Sequence, residues 1–458
     1  MIKTVRDAWK IPELRKKILF TIFALLIFRL GAAIPVPYIN SQELEVYLAA
    51  QSGTILGLMN AMSGSAFSMA TLFALSIQPY INSSIIIQLL TVAIPALERM
   101  AKEGGEEGRK KIASITRYTT VAIGLIQGFG YYSLINSYGL VDTEGLPALW
   151  VGIVIVLSFT AGSAFLMWLG EQITEFGIGN GISIILFAGI VSRFPHMVSD
   201  VYHGVTAWMD PLTQEEFTAM NWSEAQIAAY QKSLLAPWMV AVVILGMLAL
   251  VVFIVFISNA ERRLPVQYAK RVVGRKMYGG QSTHLPLRVN TAGVIPPIFA
   301  SSLLLFPATM ANFDIADWLK TAASWFTPSS ILYNVIFIAL IFFFCFFYTA
   351  IIFDPKDVAE NLKKAGGFIP GIRPGEKTQE YLDAVLSRLT LWGGVYISVI
   401  SVLPMLLIAE FNVPFYFGGT SILILVGVAM DFMSQIESHL ISRQYEGLMG
   451  KTRIKGRS

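Results

Sequence analysis

Cysteine is almost absent: the 458 residues hold one, Cys345, inside an apolar block. A disulfide is therefore excluded, as is any site that needs two thiolates. Charge is scarce as well, at 14% Asp, Glu, Lys and Arg, against about 25% in soluble proteins. With 55% of the residues hydrophobic, a water-soluble globule is excluded too. The four histidines, His196, His203, His284 and His439, fall in separate loops and helix ends, so no shared metal site is expected. Phosphate cradles are missing. The run Gly177-Ile178-Gly179-Asn180-Gly181 stops short of a dinucleotide fingerprint and reads as a tight turn, and residues 104–111 lack the spacing of a phosphate loop,. No cofactor, no metal and no catalytic constellation are expected, and the chain does not read as an enzyme.

What is present is apolar sequence in blocks long enough to cross about 30 Å of hydrocarbon as helices. Ten such blocks fall at residues 18–34, 70–94, 116–135, 149–169, 181–198, 237–257, 292–310, 331–353, 384–408 and 421–441. The expectation is an all-α integral membrane protein of ten transmembrane helices. The net charge of +4 matters less than where the charges fall. Basic residues crowd the N-terminus (Lys3 to Lys17), the stretch from Arg99 to Arg117, two loops at 258–289 and 354–380, and the C-terminal tail. The alternate loops hold only Arg193, Lys232 and Lys320. By the positive-inside rule both termini are cytoplasmic.

The ten blocks divide at the acidic stretch 199–236, an external linker, into an N-terminal half at 18–198 and a C-terminal half at 237–441. Five spans per half make the second half enter from the opposite side, the inverted arrangement that places a pathway at the seam. Residues 1–17 form an amphipathic cytoplasmic segment suited to lie on the membrane surface, and 442–458 form a cytoplasmic tail. A signal peptide would also begin with basic residues, but Pro35, Pro37 and the later spans favour a retained first helix. Strand-like stretches at 266–273 and 283–289 suggest a protruding hairpin in the first basic loop. Turn pairs Pro370-Gly371 and Pro374-Gly375 shape the second.

Charges inside the hydrocarbon are few: Arg29 late in the first span, Arg388 early in the ninth and Asp431 midway in the last. The two arginines read as snorkelling or helix-end residues, and no paired relay for ion coupling is visible. The stretch before the second span is small, uncharged and neither a good span nor a good solvated loop. It reads as a re-entrant linker or as a movable stopper. The polar groups of Gln78, Asn82, Ser83 and Ser84 should face protein or water rather than lipid, while Ile77 and Ile81, one turn apart, share a face.

The runs Pro79-Tyr80-Ile81-Asn82-Ser83-Ser84-Ile85-Ile86-Ile87-Gln88-Leu89-Leu90 and Gly177-Ile178-Gly179-Asn180-Gly181-Ile182-Ser183 closely resemble the SecY family, central subunits of the bacterial protein-conducting channel. So do 262–271, Ser282-Thr283-His284-Leu285-Pro286-Leu287, 292–302, Gly371-Ile372-Arg373-Pro374-Gly375 and Phe417-Gly418-Gly419-Thr420-Ser421. The resemblance spans essentially the whole chain. It implies two five-helix halves around an hourglass pore, with a constriction ring of Ile77, Ile81, Ile182, Leu186, Ile298 and Ile424. Leu186 departs from the isoleucine often found there and keeps the apolar character. The resemblance also implies a plug of Ala61, Met62, Ser63, Gly64, Ser65, Ala66, Phe67, Ser68 and Met69, here without the basic residue some relatives carry. A lateral gate would lie between spans two and three and spans seven and eight.

In this family the basic loops dock the ATPase SecA and the ribosome. The matching residues are Arg262, Arg263, Lys270, Arg271 and Arg373, although positive-inside retention alone would also account for such loops. SecE and SecG are the implied membrane subunits, signal peptides and nascent chains the cargo, and anionic lipids the surroundings, in a bacterial inner membrane. The rival readings are a solute transporter, which would need polar ligands where the matched positions are aliphatic, and a membrane enzyme, for which no constellation is present.

Overall fold

The computed structural model describes residues 2–50, 60, 63–143, 145–212, 230, 234–268, 271–273, 276–278, 282–310, 330–411 and 419–451. The N-terminal helices are α1 (Ile2–Trp9), α2 (Pro12–Gly31) and α3 (Ser41–Ala50). Next come α4 (Gln78–Ala93), α5 (Pro95–Lys102), α6 (Gly105–Ser137), α7 (Ala148–Phe176), α8 (Gly181–Ser192) and α9 (Phe194–Met209). The second set holds α10 (Pro237–Ser258), α11 (Ile295–Met310), α12 (Ile331–Ile352), α13 (Pro355–Lys364), α14 (Glu376–Phe411) and α15 (Gly419–Lys451). Five short strands lie in the basic loops: β1 (Glu261–Tyr268), β2 (Arg271–Val273), β3 (Lys276–Tyr278), β4 (Ser282–Arg288) and β5 (Gly367–Phe368).

Each of the ten apolar blocks overlaps a helix. Among the described residues, six helices are long and apolar enough to cross a membrane, and α4 with α5, bent by 105°, makes a seventh candidate. The chain is a multi-pass membrane protein. Local chemistry sets the breaks: Pro12, Pro79, Pro95, Pro195, Pro237 and Pro355 each stand at a helix start, where a missing N–H costs nothing. Asn180 caps α8, its Oδ1 accepting from the backbone N–H groups of Ile182 and Ser183, so 177–181 is the tight turn its glycines suggest. That turn is tied down from two sides, Thr21 Oγ1 accepting from Ile178 N–H and Gln435 Oε1 from Gly179 N–H.

The second apolar block departs from a simple span. Residues 70–77 are turns rather than helix, with Ala70 at φ 44° and Ser76 at φ 50°. They run back along the end of α2 through bonds from Val36 N–H to the Ala70 carbonyl and from Leu72 N–H to the Ile34 carbonyl. The helix begins only at Gln78. On the other side Gly162 of α7 meets this segment so closely that a Cβ would stand 1.9 Å from the Leu72 carbonyl oxygen. Small residues of this kind set helix packing in membranes, where lipid is as apolar as the protein interior.

The two sets of helices meet along two seams, α4 against α11 and α8 against α15. One apolar cluster runs through both, from Phe28, Phe67 and Phe73 to Phe337 and Ile424. The N-terminal α1 packs on α15 and α2 through Ala8, Leu14, Ile18 and Ile436. Outside the membrane β1 pairs antiparallel with β4, Glu261 opposite Arg288 and Gln267 opposite Ser282. On its other edge β1 receives β5, with Gln267 opposite Phe368. The two basic loops therefore do not stand as separate fingers. Their bases share one sheet and one small core of Leu264, Val266, Leu287, Ile369, Leu382, Val385 and Leu386.

Candidate functional site

The six aliphatic positions come from both sets of helices: Ile77 immediately before α4 and Ile81 within it, Ile182 and Leu186 on α8, Ile298 on α11 and Ile424 on α15. Ile77, Ile81, Leu186, Ile298 and Ile424 are buried, and half-buried Ile182 packs against the same cluster. All six belong to the apolar interior that the two sets of helices share, where α4 meets α11 and α8 meets α15. Such side chains offer no hydrogen bonds to trap a passing chain, and a constriction lined by them sheds water when empty.

Against this cluster lies the segment 63–69; Ala61 and Met62 fall outside the described residues. With no regular hydrogen-bond ladder, its short polar side chains satisfy its own backbone. Ser63 Oγ accepts from Phe67 N–H at 3.0 Å, and Asn60 Oδ1 accepts from Ser68 N–H at 3.0 Å. Ser68 Oγ donates to the Ser65 carbonyl. Phe67 is its anchor, buried and stacked on Tyr131 of α6 with ring centroids 4.3 Å apart, and the Tyr131 hydroxyl donates to the Phe67 carbonyl. Gly64 and Ser65 both take positive φ, 67° and 71°. A Cβ on Gly64 would come 2.5 Å from Ser192 Oγ and 2.8 Å from the Gly189 carbonyl oxygen, so the segment's backbone is seated on the end of α8.

The α4 face that the polar residues mark is turned inward: Gln78 is 4% exposed, Asn82 5% and Ser83 0%. Two hydrogen bonds cross from α4 to the other half. Ser302 Oγ on α11 donates to Gln78 Oε1 at 3.2 Å, and the Tyr348 hydroxyl on α12 donates to Gln88 Oε1 at 2.5 Å. Both bonds lie on the seam where a lateral opening is expected. Neither pair was named by the sequence reading, because each joins residues more than 200 positions apart.

The basic positions are dispersed. Arg262 and Arg263 are exposed on β1, Arg263 Nε donating to Glu261 Oε1 at 2.7 Å. Arg271 opens β2, and Lys270 falls outside the described residues. Arg373 is exposed in a turn bounded by Gly371 at φ 83° and Gly375 at φ 103°, its carbonyl accepting from Thr378 Oγ1 at 2.9 Å. The turn thus presents the guanidinium outward on a fixed backbone. Arg388 and Asp431 are exposed side chains on α14 and α15. Among the described residues no group of three or more His, Cys, Asp or Glu is placed to hold a metal ion.

A family model described as SecY matches residues 71–433. A protein translocase subunit SecY of Pseudomonas aeruginosa is 46% identical over 450 residues, covering 97% of this chain and 95% of that one. Among solved structures, that of a protein-conducting channel superposes with a TM-score of 0.63 at 17% identity, over 98% of this chain and 99% of that one. A second, of a SecY protein whose plug domain stabilises the closed state of the translocation channel and maintains a membrane seal, gives a TM-score of 0.60 at 17% identity, over 98% and 99%. At these identities the two structures establish a shared fold.

Proposed function

The chain belongs to the SecY family, and we propose that it is the central subunit of a protein-conducting channel, passing unfolded secretory polypeptides outward and releasing apolar segments sideways into lipid. The observation that supports this reading is that Ile77, Ile81, Ile182, Leu186, Ile298 and Ile424, from both halves, all belong to or pack on one shared apolar cluster, which also takes in Ala66 and Phe67 of the small-residue segment 63–69. In this reading the six form the ring and the segment, from Ala61 to Met69, is the plug. The α4–α11 and α4–α12 contacts are the lateral gate. Signal-peptide apolar cores run about 7 to 15 residues, shorter than a comfortable span, so a protein-lined opening to lipid suits them.

The halves 18–198 and 237–441 are inverted about the pore, joined outside by 199–236, with both termini in the cytoplasm of a bacterial inner membrane. The sheet shared by the two basic loops is the docking platform for SecA and the ribosome, with Arg262, Arg263, Lys270, Arg271 and Arg373 as contacts and SecE and SecG as companion subunits. Energy for movement comes from the docked partner, in keeping with a sequence that carries no nucleotide motif.

The test is crosslinking from single cysteines at Ile81, Ile298 and Ile424, in a Cys345→Ala background, to a secretory chain stalled halfway through. The expected result is a crosslink from all three and none from Phe343, which is exposed on α12. Failure of all three in a complex that still translocates would refute the ring assignment.

A further inference from the structure

The outer end of α2 carries a charge that the function above does not use. Arg29 stands in the last turn of α2, and its Nη1 donates to the Gly64 carbonyl at 3.4 Å. Among the described residues no carboxylate forms an ion pair with it, and residues 51–69 contain no acidic side chain. The guanidinium also lines a cavity of about 420 Å³ shared by the end of α2, His196 and residues Gly64, Ser65 and Met69. Just beyond, the chain leaving α2 is bonded to the chain leaving the 63–69 segment at Val36–Ala70 and Leu72–Ile34.

Two side chains from neighbouring helices therefore hold backbone carbonyls of the segment, Tyr131 at Phe67 and Arg29 at Gly64, beside the bond from Thr71 Oγ1 to the Ala66 carbonyl within the chain's own return. They differ in what release would cost. Tyr131 is buried and its hydroxyl would lose a partner in an apolar site, whereas Arg29 is an exposed side chain in the last turn of α2, whose long arm can snorkel to the interface on letting go. The Gly64 carbonyl is available because Gly64 has no side chain and sits at positive φ against α8.

We propose that Arg29 is a releasable latch for the plug, a positioning residue whose charge-assisted hydrogen bond to the Gly64 carbonyl favours the closed seat over the displaced one. The proposal rests on the plug reading of 63–69. It places in the first transmembrane helix the basic partner that the plug itself lacks.

The test uses the complete channel complex in proteoliposomes and compares Arg29→Met, Arg29→Lys and a deletion of 63–69. Resting ion permeability should rise about fivefold in Arg29→Met, the size expected for losing one hydrogen bond of ordinary net strength, since this one is exposed and long. Arg29→Lys should fall between Arg29→Met and the parent, and the deletion should exceed both. A leaky deletion with Arg29→Met at the parental level overturns the latch and leaves the plug reading standing; a deletion that does not leak overturns the plug reading. A second readout covers variants that assemble poorly: labelling of Met69→Cys, in Cys345→Ala protein, by an impermeant maleimide from the outer side. The rate should rise in the order Arg29, Arg29→Lys, Arg29→Met, and equal rates overturn the latch.

Discussion

The two hydrogen bonds that cross from α4 to α11 and α12 make the energy that would hold the proposed gate shut calculable. Ser302→Ala removes the donor to Gln78 Oε1, and Tyr348→Phe removes the donor to Gln88 Oε1. Interhelical hydrogen bonds within a membrane are worth about 0.6 kcal/mol on average, so each substitution should shift the closed-to-open ratio by about threefold. Residues 78 and 88 both lie on α4, about 15 Å apart along its axis at 1.5 Å per residue. That separation exceeds the 7–10 Å or so within which substitutions couple. The double variant should therefore lose about 1.2 kcal/mol, a shift of about eightfold. The assay is translocation of a precursor whose signal has a shortened apolar core, in proteoliposomes with SecA. Rates on this precursor should rise about threefold, threefold and eightfold, while a precursor with an intact signal, which opens the gate by itself, should change little. The reasoning is refuted if the double variant handles the defective precursor no better than the parent, or if both precursors speed up equally.

Ile424→Asn should make the channel leak ions or accept defective signals, because an amide at a buried position in the apolar cluster holds water that the aliphatic side chain sheds; planar-bilayer conductance checks it. Gly162→Ala should lower stability by about 1–3 kcal/mol through overpacking, since its Cβ meets the Leu72 carbonyl at 1.9 Å. Gly124→Ala, whose nearest contact is Thr160 Cγ2 at 3.4 Å, is the control in a thermal-unfolding comparison. Arg373→Glu should depress SecA-driven translocation about tenfold or more if this exposed charge is the proposed docking contact, with resting ion permeability unchanged because the turn lies between the spanning helices α12 and α14.

The places where the sequence was readable, and where it was not, follow from how far apart the interacting residues lie. Apolar blocks are local and continuous, and each of the ten overlaps a helix, the second only from Gln78 onward. The hairpin in the first basic loop was legible in outline from the strand-like runs at 266–273 and 283–289, although the first run meets β1 only at 266–268 and then takes in β2. The pairing of β1 with β5 was not, because it joins Gln267 to Phe368 across about a hundred residues. The non-helical path of 70–77 was hidden by its apolar composition, since positive φ at Ala70 and Ser76 is imposed by tertiary contacts rather than propensity. Arg29 read as a snorkelling residue because its partner is a backbone carbonyl, a group every residue has.

The aliphatic positions and the polar ones differ in a way that reaches beyond distance. In a membrane an isoleucine gains little by turning inward, because lipid tails are as apolar as the interior; nothing in the pattern around Ile81 or Ile298 distinguishes a pore-facing from a lipid-facing residue, and the family resemblance alone singled them out. Gln78, Asn82 and Ser83 have no such freedom, since hydrocarbon cannot satisfy them. They mark the inward face of α4 from sequence alone, and the structure buries all three. The polar residues therefore orient the helix, and the orientation carries Ile81, three positions after Gln78 and so on its face, into the interior with it. In a channel of this kind, the residues proposed to touch the passing chain are placed by neighbours that do not.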